Sequence, residues 1–460
     1  MAKSIAVFGG TFSPPGIHHR HIVESLAKCF STVVVVPCGP RPDKPNDIDP
    51  VYRAAMADIA FKDIPNVEVD LFDLEQATFT RTHDLESRYK HRGEVWHVVG
   101  SDLLTGGRSK DAFVQRVWQH GHDLWKSLRY AVLPRPGHEI GNDDLPPQHK
   151  KIELNIDGSA YSIREKLFKR ESIKGLVSPE IESYIERYGL YRGSIPSRAT
   201  RWSLEDPRLL IVADERNAKA KEWAADFKKW ECKERPNAIL AIGGDGTMLH
   251  AIRKHWRQRV PFFGINAGHL GFLLNNAKDV LDGKFPPRHS VARQLPMLYC
   301  EVQKKDGSWV NGLAFNDAWI ERATGQSAWL EVEVGGRMRL PKLVCDGALV
   351  ATPGGSTAYA RAMGAEPLLA DTPGWLLVGS NVMSPAHWKS ALLSWDAQVE
   401  LRSLSTDKRP LNGYIDGVLM GEIRALRVRI SRIATVELAY CAHHDMAEKI
   451  AQIQFPKATE

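Results

Sequence analysis

An α/β fold in two successive parts, the second closing in an all-β layout, is what this 460-residue sequence predicts. Three observations carry the expectation. Two segments begin alike, each with an apolar strand feeding a helical pattern: Ile5 to Phe8 runs through a Gly-rich turn into a helix near His21 to Cys29, and Leu209 to Val212 leads into Asn217 to Lys229. Between them, residues 193–206 (GSIPSRATRWSLED) have the Ser, Pro and charge of a linker. Past about Val291 the texture changes to short alternating strands.

In chain order, Ile5–Phe8 is followed by Val33–Val36, a Pro-rich loop from Pro37 to Pro50, and a helix from Tyr52 to Phe61. Val67–Leu71, Glu94–Val99 and Arg129–Leu133 read as further strands with helical stretches between them. Strands alternating with helices imply a parallel sheet covered on both faces. In the second part Ile239–Ile242 and Phe262–Ile265 continue this pattern, whereas Leu298–Gln303, Trp329–Val334, Gly347–Thr352 and Arg424–Ile430 read as an all-β layout. The expected organisation is therefore a first domain over 1–192, a linker over 193–206, and a second domain over 207–460, α/β to 290 and mainly β from 291.

Composition excludes several classes. With 43% hydrophobic and 25% charged residues the chain has ordinary globular usage. No apolar run approaches the roughly 18 residues a spanning helix needs, so no membrane partner is expected. Sixty-one Lys and Arg against 55 Asp and Glu leave +6, too thin an excess for a nucleic-acid partner, which wants a concentrated basic stripe. The nearest such stripe, Lys228, Lys229, Lys233 and Arg235, is interleaved with Glu231 and Glu234, as on a solvated face. The six cysteines are scattered without a C-x-x-C pair and read as reduced thiols, without zinc or disulfides. The start runs straight into a strand with no cationic leader, and a cytoplasmic setting is expected.

The first strand ends in Gly9-Gly10-Thr11-Phe12-Ser13-Pro14-Pro15-Gly16-Ile17-His18-His19-Arg20-His21. Glycines at a strand end let backbone N–H groups approach a phosphate, and the following helix N-terminus adds partial positive charge. His18 and His21, three apart, add donors that can track a polyphosphate. A plain Gly turn with surface histidines is the bland alternative.

This segment resembles the nicotinate or nicotinamide mononucleotide adenylyltransferase family, whose pattern is G-G-[TS]-F-[DN]-P followed by H-x-G-H. The resemblance extends to about residue 192, through Thr78-Phe79-Thr80, Val99-Gly100-Ser101-Asp102, Trp125-Lys126, Leu133-Pro134-Arg135-Pro136-Gly137 and Ser159 to Arg164. Ser13 replaces an acidic or amide residue, Pro15-Gly16 lengthens the loop, and Arg20 stands where Gly is usual. The resemblance implies a Rossmann-like nucleotidyltransferase domain that joins a mononucleotide phosphate to the α-phosphorus of ATP and releases pyrophosphate. Its nucleophile is already an anion, so positioning and charge neutralisation matter more than a base. His18 and His21 are the implied catalytic residues. Gly9, Gly10, Thr11, Phe12, Lys44, Thr80, Gly100, Asp102, Trp125, Arg135, Ser159, Ser162 and Arg164 are the implied binding residues, with Mg²⁺ accompanying ATP. Trp125 offers a face to the pyridine ring or is ordinary core.

The strand Ile239–Ile242 ends in Gly243-Gly244-Asp245-Gly246-Thr247. An acidic residue between glycines repels phosphate, and makes sense if it acts through Mg²⁺ or takes a proton from a hydroxyl. Three more marks follow in order: Gly264 to Leu273 (GINAGHLGFL), Asn316-Asp317, and Thr352 to Tyr359 (TPGGSTAY). Together they resemble NAD kinase over about residues 207–455. Lipid kinases and phosphofructokinases share only the first mark. The resemblance implies that Asp245 is the base on the adenosine 2′-hydroxyl of NAD. Gly243, Gly244, Gly246 and Thr247 would then hold ATP phosphates, Asn316 and Asp317 grip the ribose, and Phe272, Asp346, Thr357, Ala358 and Tyr359 line the rest of the NAD site. A homo-oligomer through this region is expected, with no resident metal site.

The whole reads as a bifunctional enzyme using ATP, nicotinamide or nicotinate mononucleotide, and NAD. The alternative is an NAD kinase carrying a nucleotide-sensing first domain that has lost its chemistry.

Overall fold

The computed structural model describes residues 3–41, 48–154, 158–268, 271–281, 285, 289–441 and 446–455. The chain divides into two compact units, Met1–Ser197 and Arg198–Glu460.

The first unit is built on a parallel sheet. Its strands are β1 (Ser4–Gly10), β2 (Thr32–Pro37), β3 (Val67–Val69), β4 (Glu94–Gly100), β5 (Arg129–Leu133) and β6 (His149–Lys151), in the order β3-β2-β1-β4-β5-β6. Every pairing along that order is parallel. Continuous β-branched runs suit strands buried on both faces, and Val33 to Val36 are fully buried. The order reverses between β1 and β4, which opens a crevice at their carboxyl ends, where α/β sheets bind ligands. The helix after β1 spans Ile17–Cys29, four residues ahead of the expected start at His21. β6, a polar edge strand with all three residues exposed, has no hydrophobic pattern to announce it.

The second unit opens with β7 (Ala199–Trp202), inside the stretch whose composition reads as linker. Trp202 and Leu204 are buried in the same core as Leu209, Phe227 and Phe263, and that burial fixes the segment as a strand. β8 (Leu209–Ala213), β9 (Ala238–Gly243) and β10 (Phe262–Asn266) pair in parallel. β10 also runs parallel to the far end of the 24-residue strand Val418–Cys441, Phe262 opposite Leu438. That strand is antiparallel to Ser290–Lys304 along most of its length. The α/β and β parts thus share one sheet, and the chain after Ala434 returns to the α/β part. In the β part, Asp317–Arg322 lies between Gly347–Ala351 and Leu411–Ile415. It packs over a core that includes Leu298, Ile320, Val350, Trp375 and Leu426. All six cysteines are free thiols, and no helix among the described residues is long and apolar enough to cross a membrane.

Candidate active sites

In the first unit the site forms where β1, β2 and β4 end. Gly10 is needed there, because a Cβ on it would lie 2.9 Å from the Phe12 ring. Phe12 is buried and meets Phe8, His19 and Phe61 edge-on, each at 5.3 Å between ring centroids. Arg53, in the first turn of the helix Pro50–Phe61, is buried. Its guanidinium donates to Thr11 O at 2.9 Å and Cys38 O at 2.7 Å, pinning the ends of β1 and β2 together.

Gly16 caps the helix Ile17–Cys29, and its N–H donates to His19 Nδ1 at 3.0 Å. The His18 imidazole is wedged between two glycines. A Cβ at Gly16 would come within 2.6 Å of it, and one at Gly158 within 2.7 Å. The His18 and His19 rings lie 3.9 Å apart. Burial first, then Arg135 and His21, lowers the His18 imidazole to about 4. Burial, His18 and Arg135 lower His19 as well. Both rings are neutral at pH 7 and serve as hydrogen-bonding groups, while the fixed positive charge beside them is Arg135. Arg164 donates to Ser13 O at 2.7 Å, so the sequence-distant His18, His19, Arg135, Gly158 and Arg164 converge on one turn.

Other residues named from the sequence take different places. His21 is exposed, one turn on from His18; the ring packed against His18 is that of His19. Trp125 is buried among Val99, Leu104, Val114 and Tyr130, and Gly107 lies so close that a Cβ there would meet the ring at 2.6 Å. It is packed as a core residue is. Lys44 lies outside the described residues. Ser159 caps the helix Ala160–Phe168, its Oγ accepting from Tyr161 N, and Ser162 Oγ, inside the helix, donates to Ser159 O. Asp102 Oδ1 is 3.9 Å from Arg135 Nε, beside Gly100. Thr80 and Gly39 both donate their N–H groups to the buried Asp73 carboxylate, a tie between two loops that the sequence did not announce.

In the second unit, β9 delivers Gly243 to the start of the helix Asp245–His255. Gly243 has φ 158°, and a Cβ on it would lie 2.3 Å from Thr247 Oγ1, so only glycine lets the helix start this close to the strand. Asp245 opens the helix and its carboxylate accepts from two consecutive amides, Phe272 N at 3.0 Å and Leu273 N at 2.9 Å. Burial raises its pKa, against the lowering effect of those amides and of Lys449. Such a carboxylate is oriented and a better proton acceptor than an exposed one. Phe272 serves through its backbone, its side chain being buried.

Asn316 and Asp317 are held by a residue the sequence reading missed. Asp416, in the tight turn before Val418–Cys441, is buried with φ 47°. Its carboxylate accepts from Phe315 N, Asn316 N and Asp317 N at 2.7, 2.8 and 3.2 Å. Burial, with Asp416 adding to it, pushes Asp317 up to about 7. Arg253, on the Asp245 helix, donates to Asp416 O, linking the two motifs. Asn316 Oδ1 is buried and has no partner among the described residues, as an atom awaiting a ligand donor would be. Gly355 sits against the Asn316 backbone, where a Cβ would come within 2.2 Å of its carbonyl oxygen. Ala358 and Tyr359 are exposed beyond it, and Tyr359 meets the Trp319 ring edge-on at 5.2 Å. Asp346 differs: its carboxylate is occupied by Arg322 Nε at 2.7 Å and Asn381 Nδ2 at 2.8 Å, a structural tie. Among the described residues no group of three or more His, Cys, Asp or Glu is gathered to hold a metal ion. The Asp416–Gly417 pair reads in sequence as an ordinary turn, which is why its role was hidden. Asp416→Ala is expected to strand three buried N–H groups and lower the melting temperature of the full chain by about 5 °C, measured by calorimetry.

Comparison with known proteins agrees with two joined regions. The family profile described as Cytidylyltransferase-like matches residues 7–174, and the one described as ATP-NAD kinase N-terminal domain matches 200–282. The chain is 34% identical over 224 residues to NAD kinase of Rickettsia bellii, covering 48% of this chain and 87% of that protein. It is 34% identical over 227 residues to NAD kinase of Rickettsia felis, covering 49% and 88%. A crystal structure of yeast NADH kinase complexed with NADH aligns with a TM-score of 0.44 at 20% identity, covering 50% of this chain and 71% of that one.

Proposed function

Because this chain belongs to the NAD kinase family, with a cytidylyltransferase-like region fused ahead of the kinase region, we propose that it carries out two steps of NADP synthesis. The second unit transfers the γ-phosphoryl group of ATP to the 2′-hydroxyl on the adenosine ribose of NAD. The first unit transfers the adenylyl group of ATP to a pyridine mononucleotide and releases pyrophosphate. Mg²⁺ enters both reactions as part of the ATP substrate.

The observation that carries the kinase reading is the half-buried Asp245 carboxylate at the helix start, held by the amides of Phe272 and Leu273. The 2′-hydroxyl attacks the γ-phosphorus, its proton passes to Asp245, and the bond to the β,γ-bridging oxygen breaks to release ADP. Gly244 and Gly246, at the start of the helix Asp245–His255, offer N–H groups to phosphate. Asn316 supplies an open acceptor for a ribose hydroxyl. In the first unit the phosphate nucleophile needs no base. Neutral His18 and His19 donate hydrogen bonds without having to shed a proton, and Arg135 provides charge.

NADP formation from NAD and ATP, followed by chromatography, tests the first reading. Pyrophosphate release from ATP with each mononucleotide tests the second. A nicotinate-specific pocket would set a cation on the extra carboxylate. Arg81 and Lys126, beside Thr78-Phe79-Thr80 and Trp125 in sequence, are both exposed. Nicotinamide mononucleotide is therefore expected to be accepted, giving the amide form that the kinase uses directly. A preference above about 10³ for the nicotinate form would overturn that direct route.

A further inference from the structure

The turn Gly271–Leu274 is gripped from two sides. Its inner amides, Phe272 N and Leu273 N, point at Asp245, and its outer carbonyls point the other way. Lys449, on the helix Met446–Gln454 near the end of the described chain, donates to Gly271 O at 2.7 Å and to Leu274 O at 2.8 Å. Its side chain is buried, with only 7% of the residue exposed. The helix has a second tie in Gln454 Nε2, which donates to Glu366 Oε2 at 3.4 Å, beyond the Thr352–Tyr359 loop. A buried ammonium is an expensive way to dock a helix, since an apolar residue does so without desolvation. Its place beside a turn that orients a reactive carboxylate gives that expense a purpose.

We propose that Lys449 is a positioning residue for phosphoryl transfer: by holding the carbonyls of Gly271 and Leu274 it fixes the amides that aim the Asp245 carboxylate. The proposal rests on the kinase reading of this site. Burial lowers the Lys449 ammonium to about 8, against the pull of Asp245 and Asp279, so it is mainly charged at neutral pH. The groups bearing on it are Asp245 from the helix Asp245–His255 and Asp279 from the helix Ala277–Leu281. Tyr440, on the long strand, faces Asp245 and also Arg293 of Ser290–Lys304. Lys449 touches neither reacting atom, so its removal should slow the step without weakening substrate binding.

The test is Lys449→Met in the full chain. It is expected to lower kcat for NAD phosphorylation by about tenfold or more while KM for NAD and ATP stays within about twofold. Lys449→Arg, which keeps charge and donors, is expected to retain kcat within about threefold. Hydrogen exchange read by mass spectrometry should show faster exchange of the Gly271–Asn275 peptide in Lys449→Met, a measure of the grip that requires no substrate. Wild-type kcat in Lys449→Met, a loss confined to KM, or a folded but inactive Lys449→Arg would each overturn the proposal. If Lys449→Met does not fold, Lys449→Gln is measured against the same criteria. Failure of the wild-type chain to make NADP defeats the kinase reading itself; a working wild type with an unaffected variant defeats only the role of Lys449.

Discussion

Asp245→Asn is expected to cut NADP formation by about 10² or more and to leave pyrophosphate release from a mononucleotide and ATP unchanged. The amide cannot take the 2′-hydroxyl proton, so the phosphoryl acceptor stays a poor nucleophile. It also puts an NH₂ donor where the carboxylate now accepts from Phe272 N and Leu273 N, and two donors facing each other disturb the turn as well. The loss should therefore exceed that of Lys449→Met, which spares the base. The substituted side chain lies in the second unit, Arg198–Glu460, so the other reaction is an internal control for folding. Steady-state rates of both reactions on the same preparation check it. A parallel fall in the two would mean that they do not use separate sites.

His19→Ala is expected to slow pyrophosphate release by about 10² or more, while His21→Ala changes it by less than about threefold. The sequence spacing favours His18 and His21; we propose His18 and His19 instead, because their rings are 3.9 Å apart beside Arg135. Loss of the His19 ring removes the acceptor for Gly16 N–H and the edge contact to Phe12, so the phosphate turn loses both shape and a donor. His21, exposed on the helix, bears on His18 through charge but makes neither of those contacts. NADP formation from supplied NAD should be unaffected in both variants. A slow His21→Ala with a normal His19→Ala would return the assignment to the sequence spacing.

What the sequence made legible follows from where the physics is local. Val33–Val36, ending in Pro37, and Ile239–Ile242, ending in Gly243, are short apolar runs, and such runs declare a buried parallel strand and the turn after it. Asp245 was legible because a carboxylate among phosphate-binding glycines is an anomaly that needs a chemical reason. Long-range partners were not legible. Asp416 lies about a hundred residues from the amides it holds. Lys449 lies 178 residues from Gly271, in a helix whose spacing marks it as nothing special. Trp125 is open between stacking and core because an aromatic residue suits both, and its burial is what the structure adds. The stretch 193–206 hid β7 because two buried apolar side chains, Trp202 and Leu204, are too few to overcome linker composition. In the histidine turn, spacing gives the helix face but not which ring a flanking glycine admits; Gly16 and Gly158 make that room for His18.

The most direct measurement supplies the purified full chain with nicotinamide mononucleotide and MgATP alone and follows pyrophosphate, NAD and NADP together over time. Two joined activities predict that pyrophosphate and NAD rise first, that NADP follows, and that Asp245→Asn stops at NAD. NADP formed from added NAD, with no pyrophosphate released from either the nicotinamide or the nicotinate mononucleotide, would contradict the account and leave the first unit a nucleotide-binding module without adenylyl transfer.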